Sequence, residues 1–293
     1  MKRFVLAYNP VSGHATFKKK LDWIIEEFQK RDCMLVPYRT RKDNTGVFES
    51  FVREARPDGV VAAGGDGTLH EVVNLLVKAS LRLPVAIIGS GTSNDFASYL
   101  KINEDMEKYF DCIAEGKTRW VDLGLVGEEY FINVASGGMM TSIAHEVDAR
   151  LKNAMGKMAY YLKGIGEIPK LRTMPIKLQA DGREYEMEAF LFIITNSSVV
   201  GSMKNVVQAA SVDDGMLDFL AVRKCSPADL MKLTADLFAG KPVDGKKAVL
   251  HVQAKNFTVI SSDEVQSDLD GEIGPLLPIR VETIPKAIEV YCV

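Results

Sequence analysis

Short apolar runs alternate with amphipathic stretches through the first part of the chain. Phe4-Val5-Leu6-Ala7-Tyr8 reads as a buried strand, broken by Asn9-Pro10-Val11-Ser12-Gly13. Phe17 to Phe28 then places Leu21, Ile24, Ile25 and Phe28 on one helical face. Met34-Leu35-Val36 predicts a second strand ending near Arg39-Thr40, and Val47, Phe48, Phe51 and Val52 a second helix closed by Pro57. Val60 to Ala63 is a third strand, Thr68 to Ala79 a third helix and Val85 to Ile88 a fourth strand. The next segment, Gly89-Ser90-Gly91-Thr92-Ser93-Asn94-Asp95-Phe96, leads into another helix. Strands alternating with helices imply a parallel sheet covered on both faces, with ligands bound outside the carboxyl ends of the strands. The small-polar loops at 9–13, 64–68 and 89–95 all fall at that end.

From Trp120 onward the pattern changes. Trp120 to Gly124 and Tyr130 to Ala135 read as strands around a Gly-Glu turn. Met174 to Ala180, Tyr185 to Asn196, Met216 to Val222, Ala248 to Val259 and Val281 to Val293 add further strands. Asp181-Gly182 sits between two of them as a hairpin turn. An antiparallel, sandwich-like domain follows, with the boundary placed near Leu123. The expected division is a nucleotide-binding domain over 1–123, to which a last strand near 282–293 returns, and a β-rich domain over 124–281.

Composition adds limits. The chain has 293 residues, 47% hydrophobic and 26% charged, with a net charge of −3. That balance suits a folded protein and argues against a general nucleic-acid binder. Cys33, Cys112, Cys225 and Cys292 form no CxxC pair, which disfavours a zinc site or a secreted disulfide framework. The first strand begins at once, without a signal peptide, and no apolar run is long enough to span a bilayer. A cytoplasmic protein is expected, meeting lipid only from the aqueous side.

The strongest candidate chemistry is Gly64-Gly65-Asp66-Gly67-Thr68, between the third strand and third helix. Its glycines leave the backbone bare to a phosphate chain, and the following helix offers its N-terminal N–H groups. Asp66 would repel phosphate alone and becomes sensible with a divalent cation between them. Read simply as structure, the turn is sharp and its Asp caps the next helix. The segment Ser93-Asn94-Asp95 divides the same way: as structure, Ser93 or Asn94 caps the helix beginning at Asp95, and as chemistry Asp95 is a second carboxylate at the shared edge. No GxGxxG follows the first strand and no GxxxxGK[ST] occurs, so neither a dinucleotide fold nor a P-loop is indicated.

Asn9-Pro10 with Gly13, Gly64 to Thr68 with Glu71, and Gly91-Thr92-Ser93-Asn94-Asp95-Phe96-Ala97 resemble the diacylglycerol kinase catalytic-domain family, most closely its soluble bacterial lipid kinases. The resemblance continues in Asp213-Asp214-Gly215-Met216-Leu217-Asp218 and in Leu269-Asp270-Gly271-Glu272. It implies a nucleotide-binding α/β domain like that of NAD kinases and phosphofructokinases, a β-rich lipid-binding domain, and ATP with Mg²⁺. Nucleotide contacts carry over onto Asn9, Thr40, Gly65, Asp66, Gly67, Thr68, Leu69, His70, Glu71 and Thr92. The proton acceptor carries over onto Glu272. A structural magnesium site carries over onto Asp214, with backbone oxygens of Ser211 and Met216. The family usually has proline and glycine where this chain has Ser90 and Ser93, and often a basic residue where it has His14.

The implied mechanism is phosphoryl transfer to a lipid hydroxyl, in which Asp66 and Asp95 hold Mg²⁺, Glu272 takes the proton, and Asp270 orients the metal or substrate. Asp263, Glu264 and Asp268 read as a solvated loop. An NAD kinase, which shares the GGDG turn, and a non-catalytic nucleotide- or lipid-binding regulator are the alternatives. Within the helical stretch that begins at Thr141, Arg150, Lys152, Lys157, Lys163, Lys170 and Arg172 face a single acid between them, Glu167, and are interleaved with Met and Tyr. Two readings stay open there: a helix packed between domains, or docking to anionic headgroups at the inner face of a membrane. The expected partners are a lipid substrate and that membrane surface, and a homodimer is compatible with the sequence.

Overall fold

The first strand, β1 (Lys2–Tyr8), is the centre of the N-terminal domain: Phe4, Val5, Leu6 and Ala7 are all fully buried. Such a run, apolar on both faces, requires cover above and below. The computed structural model describes residues 1–9, 17–40, 45–91, 93–138 and 172–293. After β1 come α1 (Phe17–Gln29), β2 (Cys33–Arg39), α2 (Thr45–Ala55), β3 (Gly59–Gly64), α3 (Asp66–Lys78), β4 (Val85–Gly89), α4 (Asp95–Tyr99) and α5 (Met106–Glu115). β1 pairs in parallel with β2 on one side and β3 on the other, and β3 pairs in parallel with β4. The crossover from β2 past β1 to β3 makes the gap between β1 and β3 a topological switch point, where open α/β sheets bind ligands. α1 and α5 pack together through Phe28 and Phe110, whose rings lie 5.5 Å apart. α2 and α3 pack together where the Arg53 guanidinium donates to the Ala79 carbonyl.

β5 (Thr118–Val126), β6 (Glu129–Phe131), β7 (Val134–Gly138), β8 (Met174–Ala180), β9 (Arg183–Thr195) and β10 (Leu217–Arg223) follow. Then come α6 (Pro227–Phe238), β11 (Val249–Ala254), β12 (Asn256–Ile260), β13 (Gln266–Leu269), β14 (Glu272–Leu276) and β15 (Ile279–Tyr291). β7 to β14 are antiparallel and form a sandwich-like second domain around Phe192, Phe219 and Phe257. β15 joins the halves: it pairs antiparallel with β12 at its start and with β5 along its length, and parallel with β4 at Val290.

The sequence pattern misplaces three features. Tyr130 to Ala135 is two strands, because the N–H groups of Ile132, Asn133 and Val134 leave the ladder for the Asp270 carboxylate. Ala248 to Val259 is also two strands. The chain bends at Lys255, where the N–H groups of Lys255 and Asn256 turn to Asp181. Asp268 belongs to β13 rather than to a solvated loop, and its Oδ1 accepts the Gly271 N–H at 2.8 Å. A helix that the pattern did not single out, α6, begins with Ser226 as cap and Pro227 at its first position. The stretch 141–170, with Arg150, Lys152, Lys157, Lys163 and Lys170, lies outside the described residues, as do His14 and Thr92.

Candidate functional site

Three chain segments meet at the carboxyl end of the parallel strands. The Asn9 N–H donates to the Ala63 carbonyl at 3.2 Å, and the Thr40 N–H to Tyr8 at 3.0 Å, so both residues sit at the rim of the switch point. Gly64 stands opposite Gly89 in the β3–β4 ladder, and the Ser90 N–H continues it onto the Gly64 carbonyl. Beyond the ladder the two turns touch through bare backbone. A Cβ on Gly91 would lie 2.4 Å from the Gly65 Cα, and one on Gly65 would lie 3.2 Å from the Gly91 Cα. No side chain fits at Gly91 without moving the turns apart, which leaves main-chain atoms lining the edge. Asn94 locks the second turn: its Oδ1 accepts the Gly91 N–H and its Nδ2 donates to the Gly91 carbonyl, both at 2.9 Å. The buried Ser90 hydroxyl has no partner among the described residues.

Asp66 links the turns. Its Oδ2 accepts the Asn94 N–H and its Oδ1 the Asp95 N–H, each at 2.9 Å, so it caps α4 from the neighbouring loop. This is the work expected of Ser93 or Asn94. Asn94 is instead left-handed, and its side chain makes no cap bond. Burial, then the nearby carboxylates of Asp95 and Asp270, push the Asp66 carboxyl up to about 7, against the pull of its two backbone bonds. A divalent cation would relieve that crowding. Each Asp66 oxygen keeps acceptor capacity beyond its one bond, so a magnesium ion held by one or two carboxylates and substrate phosphates fits here. Among the described residues no three His, Cys, Asp or Glu side chains come together to hold a metal unaided.

Asp95, the second carboxylate expected at the edge, is engaged with the second domain. It is buried, and its carboxylate accepts the N–H groups of Gly201 and Ser202, at 2.5 and 2.8 Å. It therefore ties α4 to the 199–207 loop of the second domain. Asp270 is engaged likewise. One oxygen accepts from Asn133 and Val134, and the other from Ile132 and from the His70 ring at 3.1 Å. With these four partners and a side chain 1% exposed, Asp270 orients protein rather than metal or substrate.

His70 and Leu69 do not face the glycine turns. Leu69 belongs to the N-terminal core, and His70 is buried between Asp270 and Asn74. Burial by itself would lower the His70 pKa, but the hydrogen bond and charge of Asp270, then the charges of Glu129 and Glu272, hold it above its ordinary value. Asn74 extends the link, exchanging bonds with the Tyr130 carbonyl and N–H at 2.7 and 2.8 Å. Nothing in the sequence marks His70, Asn74 and Tyr130 as partners, because the pairing crosses the domain boundary. Thr68 is buried beneath Gly64, where a Cβ would strike its Oγ1, and Glu71 is partly exposed on α3.

Glu272 is exposed at the start of β14, and it meets the glycine turn. A Cβ on Gly67 would lie 3.0 Å from Glu272 Oε1. Asp270 turns inward and Glu272 outward from the same tight turn, with Asp270 at φ 53° and Gly271 at φ 95°. A carboxylate with open acceptor sites thus faces main chain suited to phosphate.

The second acidic turn is distinct. Asp214 accepts the Met216 N–H and a proton of the Gln253 amide, while Ser211 donates to Asp213, which pairs with Arg119 at 2.6 Å. Burial, then Asp218, Asp122 and Asp213, push the Asp214 carboxyl up. The surroundings are acidic enough to attract a cation.

The family model of the diacylglycerol kinase catalytic domain matches residues 3–126, and that of the YegS C-terminal NAD kinase beta sandwich-like domain matches 133–292. The chain is 34% identical to a diacylglycerol kinase of Bacillus subtilis strain 168, over 99% of this chain and 96% of the relative. It is 32% identical to a diacylglycerol kinase of Staphylococcus epidermidis, over 99% and 92%. A Bacillus anthracis strain Sterne crystal structure assigned to the diacylglycerol kinases superposes with a TM-score of 0.84 at 25% identity, over 100% of this chain and 95% of the other.

Proposed function

Because the chain belongs to the diacylglycerol kinase family and is a lipid kinase, we propose that it transfers the γ-phosphoryl group of ATP to the free hydroxyl of a diacylglycerol. The observation that carries the assignment of roles is the approach of Glu272 to Gly67. It sets a second-domain carboxylate against the glycine turn of the first. Main-chain groups of the turns at 64–68 and 89–91 cradle the triphosphate, with Asn9, Thr40 and Glu71 at the rim. Asp66 holds the two turns in register and offers its remaining lone pairs to Mg²⁺. Glu272 accepts the proton of the lipid hydroxyl as it attacks, and the His70–Asp270 link keeps that carboxylate in place. When bound, Mg²⁺ supplies charge neutralisation at the phosphoryl oxygens. Asp214, with carbonyls of Ser211 and Met216, is the proposed structural magnesium site. No helix among the described residues is long and apolar enough to cross a membrane. A bilayer substrate would be reached by docking at the surface, on the cytoplasmic side.

The test is phosphorylation with labelled ATP and Mg²⁺ of diacylglycerol, monoacylglycerol, phosphatidylglycerol, a sphingoid base and NAD in parallel. Label is expected in phosphatidic acid. Glu272→Gln should lower turnover at least about a hundredfold, with melting unchanged because Glu272 is exposed. Wild-type turnover by folded Glu272→Gln removes the base assignment, and label confined to NAD overturns the lipid substrate.

A further inference from the structure

Strand β14 gives the core no buried side chain. Of Glu272, Ile273, Gly274, Pro275 and Leu276, only Gly274 is partly buried. Ile273 is 70% and Leu276 46% exposed, and among the described residues only Met1 is a more exposed large apolar side chain than Ile273. The strand is held by its main chain instead. Gln266 Nε2 donates to the Gly274 carbonyl and Ser267 Oγ to the Pro275 carbonyl. A Cβ on Gly274 would lie 2.5 Å from Ser267 Oγ, so the backbone approaches β13 closely. Core packing therefore gives no reason for two large aliphatic side chains here.

An irregularity in the ladder sets their direction. Asp268 stands opposite Ile273 and Gln266 opposite Leu276, so β14 takes three steps where β13 takes two. Opposed residues of an antiparallel pair share a face, and residues two apart on one strand do as well. The extra residue thus places Ile273 and Leu276 on one face, away from the buried Ser267 and Leu269. Among the described residues no strand pairs beyond β14. Pro275 has no N–H to offer at that edge, which blunts it against a partner's strand. An exposed apolar pair on such an edge suits a ligand better than a second sheet.

The start of the strand identifies the ligand. Glu272 stands opposite Leu269, on the other face of β14, and its Oε1 reaches the glycine turn at Gly67. In a diacylglycerol the carbon bearing the free hydroxyl is bonded directly to a carbon bearing an acyl ester. A hydroxyl presented to Glu272 therefore brings an acyl chain to the residues that adjoin it. The lipid lies across the free edge, with its hydroxyl on the Glu272 side and its chain on the Ile273 side. At ~3.3 Å per residue, Leu276 is about 13 Å farther along the strand than Glu272, so the pair tracks a chain leading away from the site.

We propose that Ile273 and Leu276 are the acyl-chain contact of the acceptor site and select hydroxyls that carry a long chain. The inference rests on the reading of Glu272 as base for a diacylglycerol hydroxyl, and two readouts keep the two apart. The first is kcat/KM for dioctanoylglycerol in neutral detergent micelles and for soluble dibutyrylglycerol. Ile273→Ser and Leu276→Ser should each cut the preference for the longer chain on the order of fivefold, through a higher KM for dioctanoylglycerol. The KM for ATP should not move, and melting should hold because both side chains are exposed. Met231→Ser removes an apolar side chain 56% exposed on α6 and should keep the wild-type preference. A preference unchanged in both β14 variants overturns the proposal.

The second readout needs no turnover. The full chain is irradiated with a dioctanoylglycerol analogue carrying a diazirine in its acyl chain, and the labelled peptide is identified by mass spectrometry. Label should fall on β14, be displaced by unlabelled dioctanoylglycerol and drop in Ile273→Ser. Displaceable label confined to other segments overturns the proposal, as does the absence of displaceable label. Label on β14 in a wild type that phosphorylates no lipid would count against the kinase reading and leave the acyl contact supported.

Discussion

His70 Nδ1 and Asp270 Oδ2 stand 3.1 Å apart, joining α3, which follows the glycine turn, to the turn that carries Glu272. The contact crosses from one domain to the other and is buried on both sides. It also fixes a proton, because a histidine beside a carboxylate that already holds three backbone N–H groups is favoured in its charged form.

The His70 pKa is raised in the folded state, so its contribution to stability is complete below the ordinary histidine pKa and is lost as pH rises through the folded value. His251, raised by its hydrogen bond to Asp218, acts in the same sense, so wild type alone does not separate them. The difference between wild type and His70→Asn in urea unfolding isolates His70. That difference should shrink as pH rises through the raised value. His70→Asn should also lower kcat while leaving the KM for ATP nearly unchanged, since the link positions Glu272 and not the phosphates. A pH-independent difference would show that the ring is neutral throughout.

Asp66→Asn should abolish turnover but keep the fold. An amide has one acceptor oxygen, so one of the two N–H bonds from Asn94 and Asp95 is lost, at about 1 kcal/mol. The wild-type carboxyl is raised from its ordinary value to about 7, so its contribution is present at acid pH and lost as pH climbs through that window. The variant lacks the group, and its stability should fall less steeply there. Parallel slopes in urea titrations across the window would contradict this.

Gly91→Ala tests the touching turns. Its Cβ would sit 2.4 Å from the Gly65 Cα, so the turns must separate. A loss of about 1–3 kcal/mol is expected, together with a higher KM for ATP. Gly46→Ala on α2 is the contrasting substitution, with open space around the added carbon and no positive φ. It should leave the KM unchanged and stabilise by about 0.4–1 kcal/mol. Equal effects of the two on ATP binding would remove the cradle assignment.

Asp95→Ala leaves the Gly201 and Ser202 N–H groups without their acceptor. The expected cost is about 1 kcal/mol for each of these part-buried bonds. Faster hydrogen exchange at Gly201 and Ser202, with unchanged exchange in β1, is the signature of a tie between domains. If Asp95 were a metal ligand instead, the variant would keep normal exchange there and respond to magnesium concentration.

Much of this protein is legible in its sequence. The buried runs at Phe4 to Ala7 and Val60 to Ala63 dictate a covered parallel sheet, because such strands are stable only with both faces shielded. The glycine turns at 64–68 and 89–91 follow those strands directly, so their common edge is set by chain order. Asp270-Gly271-Glu272 is visible as a motif. What the sequence does not distinguish is the work of the carboxylates. Asp66, Asp95 and Asp270 look alike as acids near glycine, yet the first caps α4 from outside, the second holds Gly201 and Ser202, and the third captures Ile132, Asn133 and Val134. A carboxylate takes whichever N–H groups the sheet register brings within about 3 Å, and those lie far away along the chain. The same capture breaks the strands at Asn133 and Lys255, where an apolar pattern reads straight through. Local pattern determined the elements and the phosphate edge. Tertiary pairing alone decided that Asp270 turns inward to His70 while Glu272 faces Gly67.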